Sequence, residues 1–295
     1  MGLNMNRGVR MKIKKRKPNR SIWGDGFVLV LLVGAGWFFV LPLLYAFNSA
    51  FKPLDEIFLF PPRLWVNKPT LDNFADLFVL MSKTWIPFSR YIFNTVFITV
   101  VGTLGHLLVA SMAAYVLSKY DFPGSKAFFT IVVNALMFTP QVLAIPNYLV
   151  MTKLGWVNTY WAIIVPAFAA PIGLFLMKQF MEQIPDALIE AAKVDGAKEL
   201  GIYFKIIMPL VKPASLTLSI FSILNLWNTR ASNFIYDEEL KTLPYALSQI
   251  VTGGQIARAG VSAAVTLFIL IVPLMFFISA QSSIIETMAS SGIKE

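Results

Sequence analysis

Glu190-Ala191-Ala192-Lys193-Val194-Asp195-Gly196, followed by Ile206-Ile207-Met208-Pro209, is a small-residue, charged break between two long apolar runs. Pro185 and Asp186 open it, and Asp186 suits a helix N-cap in both side chain and charge. Ala187, Ala191 and Ala192 predict a slim helix face that another surface can approach closely. Glu190 and Lys193 are spaced as an i,i+3 pair. Gly196 supplies the backbone freedom for a turn. A second helix is expected over Ala197–Ile207, with Leu200, Phe204 and Ile207 at helical spacing, before Pro209 restarts the chain. The reading is a helix–turn–helix elbow built to touch another molecule. The plainer alternative is an amphipathic loop helix lying on lipid headgroups.

The runs around this elbow decide the class. The chain has 295 residues, 57% hydrophobic and 14% charged, whereas soluble domains carry about 25% charged residues. Six stretches approach the roughly 20 apolar residues needed to cross a bilayer. They are Phe27–Phe47, Tyr91–Ser118, Ala127–Met151, Leu154–Met177, Pro209–Thr229 and Ala259–Ile285. Pro140, Pro146, Pro166, Pro171 and Pro273 lie inside them, which membrane helices tolerate. Gly102, Gly105, Ala110, Ala113 and Ala114 predict close helix packing in the second run. The expected fold is all-α and polytopic: a basic segment 1–26, a six-span domain 27–285 with its elbow at 185–209, and a tail 286–295. With no cysteine in the chain, disulfides are excluded.

Orientation follows from Lys and Arg. With the N-terminus inside, segments 1–26, 119–126, 178–212 and 286–295 carry 16 of the 25 basic residues. Both termini are then cytoplasmic, as an even number of spans requires. The net charge of +9 is concentrated in the leader, which reads as a topology anchor drawn to anionic membrane lipid rather than a nucleic-acid surface. A signal peptide is the rival reading. The first apolar run has 21 residues, longer than a signal core of about 7–15, so a retained span is favoured. The segment Asn48–Arg90 is expected to form an ordered outer cap, with Thr70-Leu71-Asp72-Asn73-Phe74 opening a short helix.

The chemistry an enzyme needs is missing. His106, the sole histidine, has no carboxylate within any span core and reads as a packing or hydrogen-bonding group. No metal cluster, nucleophile elbow or phosphate-binding loop is present, so any uphill transport must draw energy from another subunit. Neutral amides and an indole near the spans suit uncharged, hydroxyl-rich cargo. Asn94, Gln141, Asn225, Trp227 and Asn228 are the candidates for a substrate path, with interhelical hydrogen bonding as the alternative.

The spacing Glu190-Ala191-Ala192-x3-Gly196-x9-Ile206-x-Met208-Pro209 resembles the signature of permease subunits of binding-protein-dependent ABC importers, with Met208 where Leu is usual. Phe51–Phe58, Ala114–Gly124, Leu154–Thr159 and Ser290–Glu295 look like segments of the smaller, six-span permease of maltose-type carbohydrate importers. The resemblance implies a type I ABC importer permease in the bacterial cytoplasmic membrane. Its coupling helix, with Glu190, Ala191, Ala192, Asp195 and Gly196, would dock on an ATPase subunit, and Ser291 and Gly292 would reach the same partner. A homologous second permease, two ATPase subunits and an extracytoplasmic sugar-binding protein complete the implied assembly. No cofactor is expected on this chain; ATP and Mg belong to the ATPase. The alternatives are an ABC permease for a non-sugar solute, or a membrane enzyme or scaffold outside the ABC class.

Overall fold

The structure, a computed structural model, describes residues 22–82, 85–230, 233–252 and 259–291. Most of the basic leader and the end of the tail, including Gly292, lie outside the described residues. Residues 1–46 and 47–295 form two units. Helix α1, Ile22–Ala50, starts in the first. Its 28-residue apolar portion, Trp23–Ala50, is about 42 Å long at 1.5 Å per residue, enough for a hydrocarbon core of about 30 Å.

The second unit continues with α2 (Leu54–Ile57), α3 (Asp72–Ser82), α4 (Phe88–Lys119), α5 (Ser125–Ala135) and α6 (Pro140–Lys153). Then come α7 (Trp161–Phe168), α8 (Pro171–Met181), α9 (Ala187–Val194), α10 (Glu199–Leu210), α11 (Lys212–Trp227), α12 (Leu243–Thr252) and α13 (Ala259–Ser291). No strand occurs among the described residues.

Four of the six expected spans are long apolar helical stretches, and the other two fall on sharply bent helix pairs. α1, α4, the α7–α8 stretch Trp161–Met181, and Ala259–Gln281 of α13 are each long and apolar enough to cross. The third expected run falls on α5 and α6, bent by 113°, and the fifth falls on α11, which leaves α10 at an 80° bend. Proline chemistry explains the breaks. Pro140 and Pro171 each start a new helix, after Thr139 and Ala170 in extended conformation, the backbone a residue before proline prefers. Val211 leaves helical geometry just before Lys212 and Pro213 restart the chain. The fourth span begins at Trp161, not at Leu154. Gly155 and Asn158 have φ of 67° and 64°, and a right-handed helix does not pass through left-handed backbone.

α4 is the unbroken axis, packing against α7, α8 and α11. The close packing expected from its glycines is present: Gly102 faces Leu226 and Gly105 lies against the Phe168 ring. One apolar core joins the end of α4 that carries Lys119 to α8, α9, α10 and α11 through Ala114, Met177, Ile189, Ile202, Ile207 and Leu218. A second core at the far end packs Leu77 and Met81 of α3 on Leu247 of α12 and Val265 of α13. There Thr70 accepts a hydrogen bond from the Asp72 amide at 3.1 Å, opening α3 at the expected place.

Candidate functional site

The elbow is α9, a tight turn and α10. Gly196 has φ +79°, its N–H reaches Lys193 O at 3.0 Å, and Ala197 N–H reaches Ala192 O at 2.9 Å. This paired arrangement satisfies the last carbonyls of α9 and requires a left-handed residue, which glycine adopts without penalty. The turn is therefore rigid, and its shape is written into one residue.

Three expectations for the elbow are corrected. Asp186 makes no side-chain cap; its carboxylate instead accepts Lys119 Nζ at 2.8 Å. Lys193 pairs with Glu199 across the turn at 2.9 Å rather than with Glu190, which is left exposed. The expected apolar stripe on α10 is broken by a π turn at Tyr203–Ile207. One extra residue per turn rotates the helix, so Ile202, Tyr203 and Ile207 are buried while Leu200 and Phe204 stay exposed.

α4 supplies the seat. Lys119 Nζ, with only 3% of its side chain accessible, donates to the carboxylate of Asp186 and to Ile184 O. Ser111 Oγ lies 2.6 Å from the Tyr203 hydroxyl. Tyr115 and Tyr120 both donate to Glu199, and Lys193 stands 5.2 Å from the Tyr120 ring centre. Outside the spans, the hydrogen bonds from Tyr120 and Lys193 hold the Glu199 carboxyl below its ordinary range. Glu199, then Tyr120, raise the Lys193 ammonium above its own. Tyr115, Lys119 and Tyr120 were not among the expected site residues. They do lie in the family-like stretch Ala114–Gly124, but no local pattern says what a tyrosine near a helix end will touch.

The other face of the elbow is open. Ile189 and Ala192 turn inward, so Ala192 leaves the expected slim face, while Glu190, Ala191, Asp195 and Gly196 remain exposed. Leu188 and Val194 join them, Val194 at 88% accessibility. A short helix anchored on one side and presenting apolar and acidic groups on the other can pass motion between α4 and whatever covers it.

The candidate path residues separate. Asn94 is fully buried; its amide donates to Glu239 O and Lys241 O, both at 2.8 Å, and accepts from Tyr160 at 2.6 Å. Trp227 is buried with its indole N–H on Ile269 O. Gln141, Asn225 and Asn228 are exposed; of these, Asn228 spends an amide hydrogen on Leu224 O. His106 is buried, with Nε2 3.1 Å from Ala170 O and Nδ1 2.7 Å from Ser222 Oγ. A carbonyl only accepts, so Nε2 carries the proton and Ser222 donates to Nδ1. The histidine thus ties α4 to α11 and to the Pro171 break, where Ala170 O also accepts the Gly173 N–H at 3.2 Å. Only the backbone of Ser291 is described. No three His, Asp or Glu among the described residues could together hold a metal ion.

Residues 106–286 match the family described as binding-protein-dependent transport system inner membrane component. The chain belongs to that family. It is accordingly a multi-pass membrane subunit of an importer, a transport component and not an enzyme. The permease is 35% identical over 239 residues to the arabinooligosaccharides transport system permease protein AraQ of Halalkalibacterium halodurans, covering 77% of this chain and 80% of the relative. It is 31% identical to the probable ABC transporter permease protein YurM of Bacillus subtilis, over 95% and 92% of the two chains. It is 33% identical to the polygalacturonan/rhamnogalacturonan transport system permease protein YtcP of the same organism, over 72% of each. Its fold matches a chain from the crystal structure of a bacterial ABC transporter involved in import of the acidic polysaccharide alginate. That match has a TM-score of 0.73 at 22% identity, covering 90% of the permease and 99% of that chain.

Proposed function

We propose that the permease forms half of the translocation pathway of an ATP-driven carbohydrate importer, with its elbow docked on an ATPase subunit. The observation that carries the reading is the two-sided elbow. One side is locked to α4 through Lys119, Ser111, Tyr115 and Tyr120. The other leaves Val194, Leu188, Glu190 and Ala191 uncovered. Exposed apolar side chains on a charged segment outside the spans favour a protein partner. The distribution of Lys and Arg supports a cytoplasmic elbow and cytoplasmic termini. The oligosaccharides named for the relatives support carbohydrate as cargo class, and the exposed amides of Gln141, Asn225 and Asn228 offer neutral hydrogen-bonding groups for a path.

In this reading ATP and Mg reside on two ATPase subunits, a homologous permease supplies the second half of the pathway, and an extracytoplasmic binding protein delivers the sugar. ATPase closure pushes on α9. Because α9, α10 and α4 share one core, the push moves them as a rigid body, the type of transition by which packed helices switch between two openings. Ser291 and Gly292 are proposed as a further ATPase contact. The test is Glu190→Lys and Gly196→Pro in the assembled transporter, with uptake and binding-protein-stimulated ATP hydrolysis both measured. Loss of uptake or of stimulation is expected; coupled transport at the native rate in both variants overturns the assignment.

A further inference from the structure

At the end of the fold opposite the elbow, the loop after α11 carries an aromatic cluster that neither the elbow nor the packing of the spans uses. Phe234 stacks on Tyr148 of α6, ring centres 6.5 Å apart and planes within 21°. The Tyr236 hydroxyl donates to the Tyr148 hydroxyl at 3.1 Å. Both tyrosines are open to the surroundings, Tyr236 at 56% and Tyr148 at 38% accessibility.

This loop is held with unusual completeness. Asn158 accepts from the amides of Tyr236 and Asp237 at 3.0 and 2.9 Å, donates its side-chain amide to Asp237 at 2.6 Å, and donates its backbone N–H to Phe234 O at 2.7 Å. Asn158 does this from φ +64°, a conformation that non-glycine residues adopt only when their surroundings enforce it. The neighbouring carboxylates are occupied, Asp237 by Asn158 and Glu238 by Tyr91. The loop exposes the ring and phenolic oxygen of Tyr236, with the Glu239 side chain also on the surface.

Tyrosines of a membrane-interface belt place amphipathic rings at the headgroup level, a role that needs no locked backbone. A binding surface gains from one, because rings already ordered lose little entropy when a ligand arrives. Aromatic faces with adjacent hydroxyls suit the C–H face and hydroxyl rim of a sugar ring. Gln141 lies seven residues before Tyr148 on α6, on the same helix face and about 10 Å further along. The cluster and the candidate path therefore share one surface of that helix.

We propose that Tyr148 and Tyr236, fixed by Phe234 and Asn158, form a carbohydrate-stacking platform that receives one sugar ring of the cargo as it leaves the binding protein. The inference rests on the carbohydrate-importer reading and adds to it the residues that first meet the cargo.

The test uses the complete transporter in proteoliposomes with its binding protein, and arabinotriose, galactotriose and trigalacturonate as probes. For whichever probe the native transporter takes up, Tyr236→Leu and Tyr148→Leu should raise the uptake KM about three- to tenfold. Tyr236→Phe, which keeps the ring, should stay within about twofold of native. Co-purification of the second permease checks that each variant assembles. Unchanged KM in both leucine variants overturns the platform and leaves the importer reading intact. A matching loss of affinity for the sugar-free binding protein also overturns it, because the cluster then holds protein rather than sugar. Native transporter that takes up none of the three probes overturns the carbohydrate reading and the platform with it.

Discussion

Lys119 Nζ and Asp186 Oδ1 are 2.8 Å apart, but the two side chains live in different surroundings, 3% and 73% accessible. The ammonium is sealed between α4 and the start of the elbow, where it also donates to Ile184 O. The carboxylate faces outward. The lysine is thus the structural partner of the two.

Asymmetric substitution should reveal this. Lys119→Met leaves the Ile184 carbonyl without its donor, a loss of about 1–3 kcal/mol. Asp186→Asn, at an exposed position, should cost less than about 1 kcal/mol. Thermal midpoints of the detergent-solubilised transporter should therefore fall for Lys119→Met and barely move for Asp186→Asn. The lysine variant should also uncouple uptake from ATP hydrolysis.

The π turn in α10 makes a second prediction. Ile207 is fully buried and Leu200 is 64% accessible, although both stood on the expected apolar stripe. Ile207→Ala should destabilise by about 2–5 kcal/mol through the cavity it leaves. Leu200→Ala should stay within about 0.5 kcal/mol. Equal shifts in unfolding midpoint would contradict the rotation that the π turn imposes.

Gly173 faces His106, and a β-carbon there would fall on the imidazole Nε2. The ring cannot step aside without losing Ser222 or Ala170. Gly173→Ala should cost about 1–3 kcal/mol by overpacking. Gly201→Ala, with open space around it, should be neutral or stabilising. Paired melting curves of the two variants read the difference.

The Glu199–Lys193 pair predicts how the elbow responds to pH. Glu199 is held below its ordinary carboxyl range, so its contribution is full above that range and fades as pH falls through the lowered value. Lys193 is held above its ordinary range, so its contribution is full below that range and fades as pH rises through the raised value. Between the two the attachment is constant. Amide hydrogen exchange over 199–202, corrected for the intrinsic pH dependence, should show flat protection around neutral pH and a loss in acid. Glu199→Gln should remove the acid dependence.

Much of this could be read along the chain, and the particular residues show why. Apolar runs longer than a bilayer needs announce spans whatever packs beside them. Gly196 was legible because one tight turn demands one backbone conformation. The bends after Ala135 and Leu210 were not legible, since a proline in an apolar run permits a break without setting its angle. Ile207 faced inward and Leu200 outward because the π turn shifted the phase of α10, and no periodicity count anticipates an inserted residue.

The chain by itself determined what local chemistry can determine: the membrane class, six apolar runs, the elbow and the glycine that turns it. Tertiary structure decided the partners. Lys193 chose Glu199 over Glu190, Asp186 became an acceptor for Lys119 instead of a cap, and Asn158 locked Phe234–Asp237 from a loop nearly 80 residues away. The physical reason is the range of the forces. Hydropathy and backbone preference act within a few residues, whereas a hydrogen bond forms with whichever group the packing brings within about 3 Å.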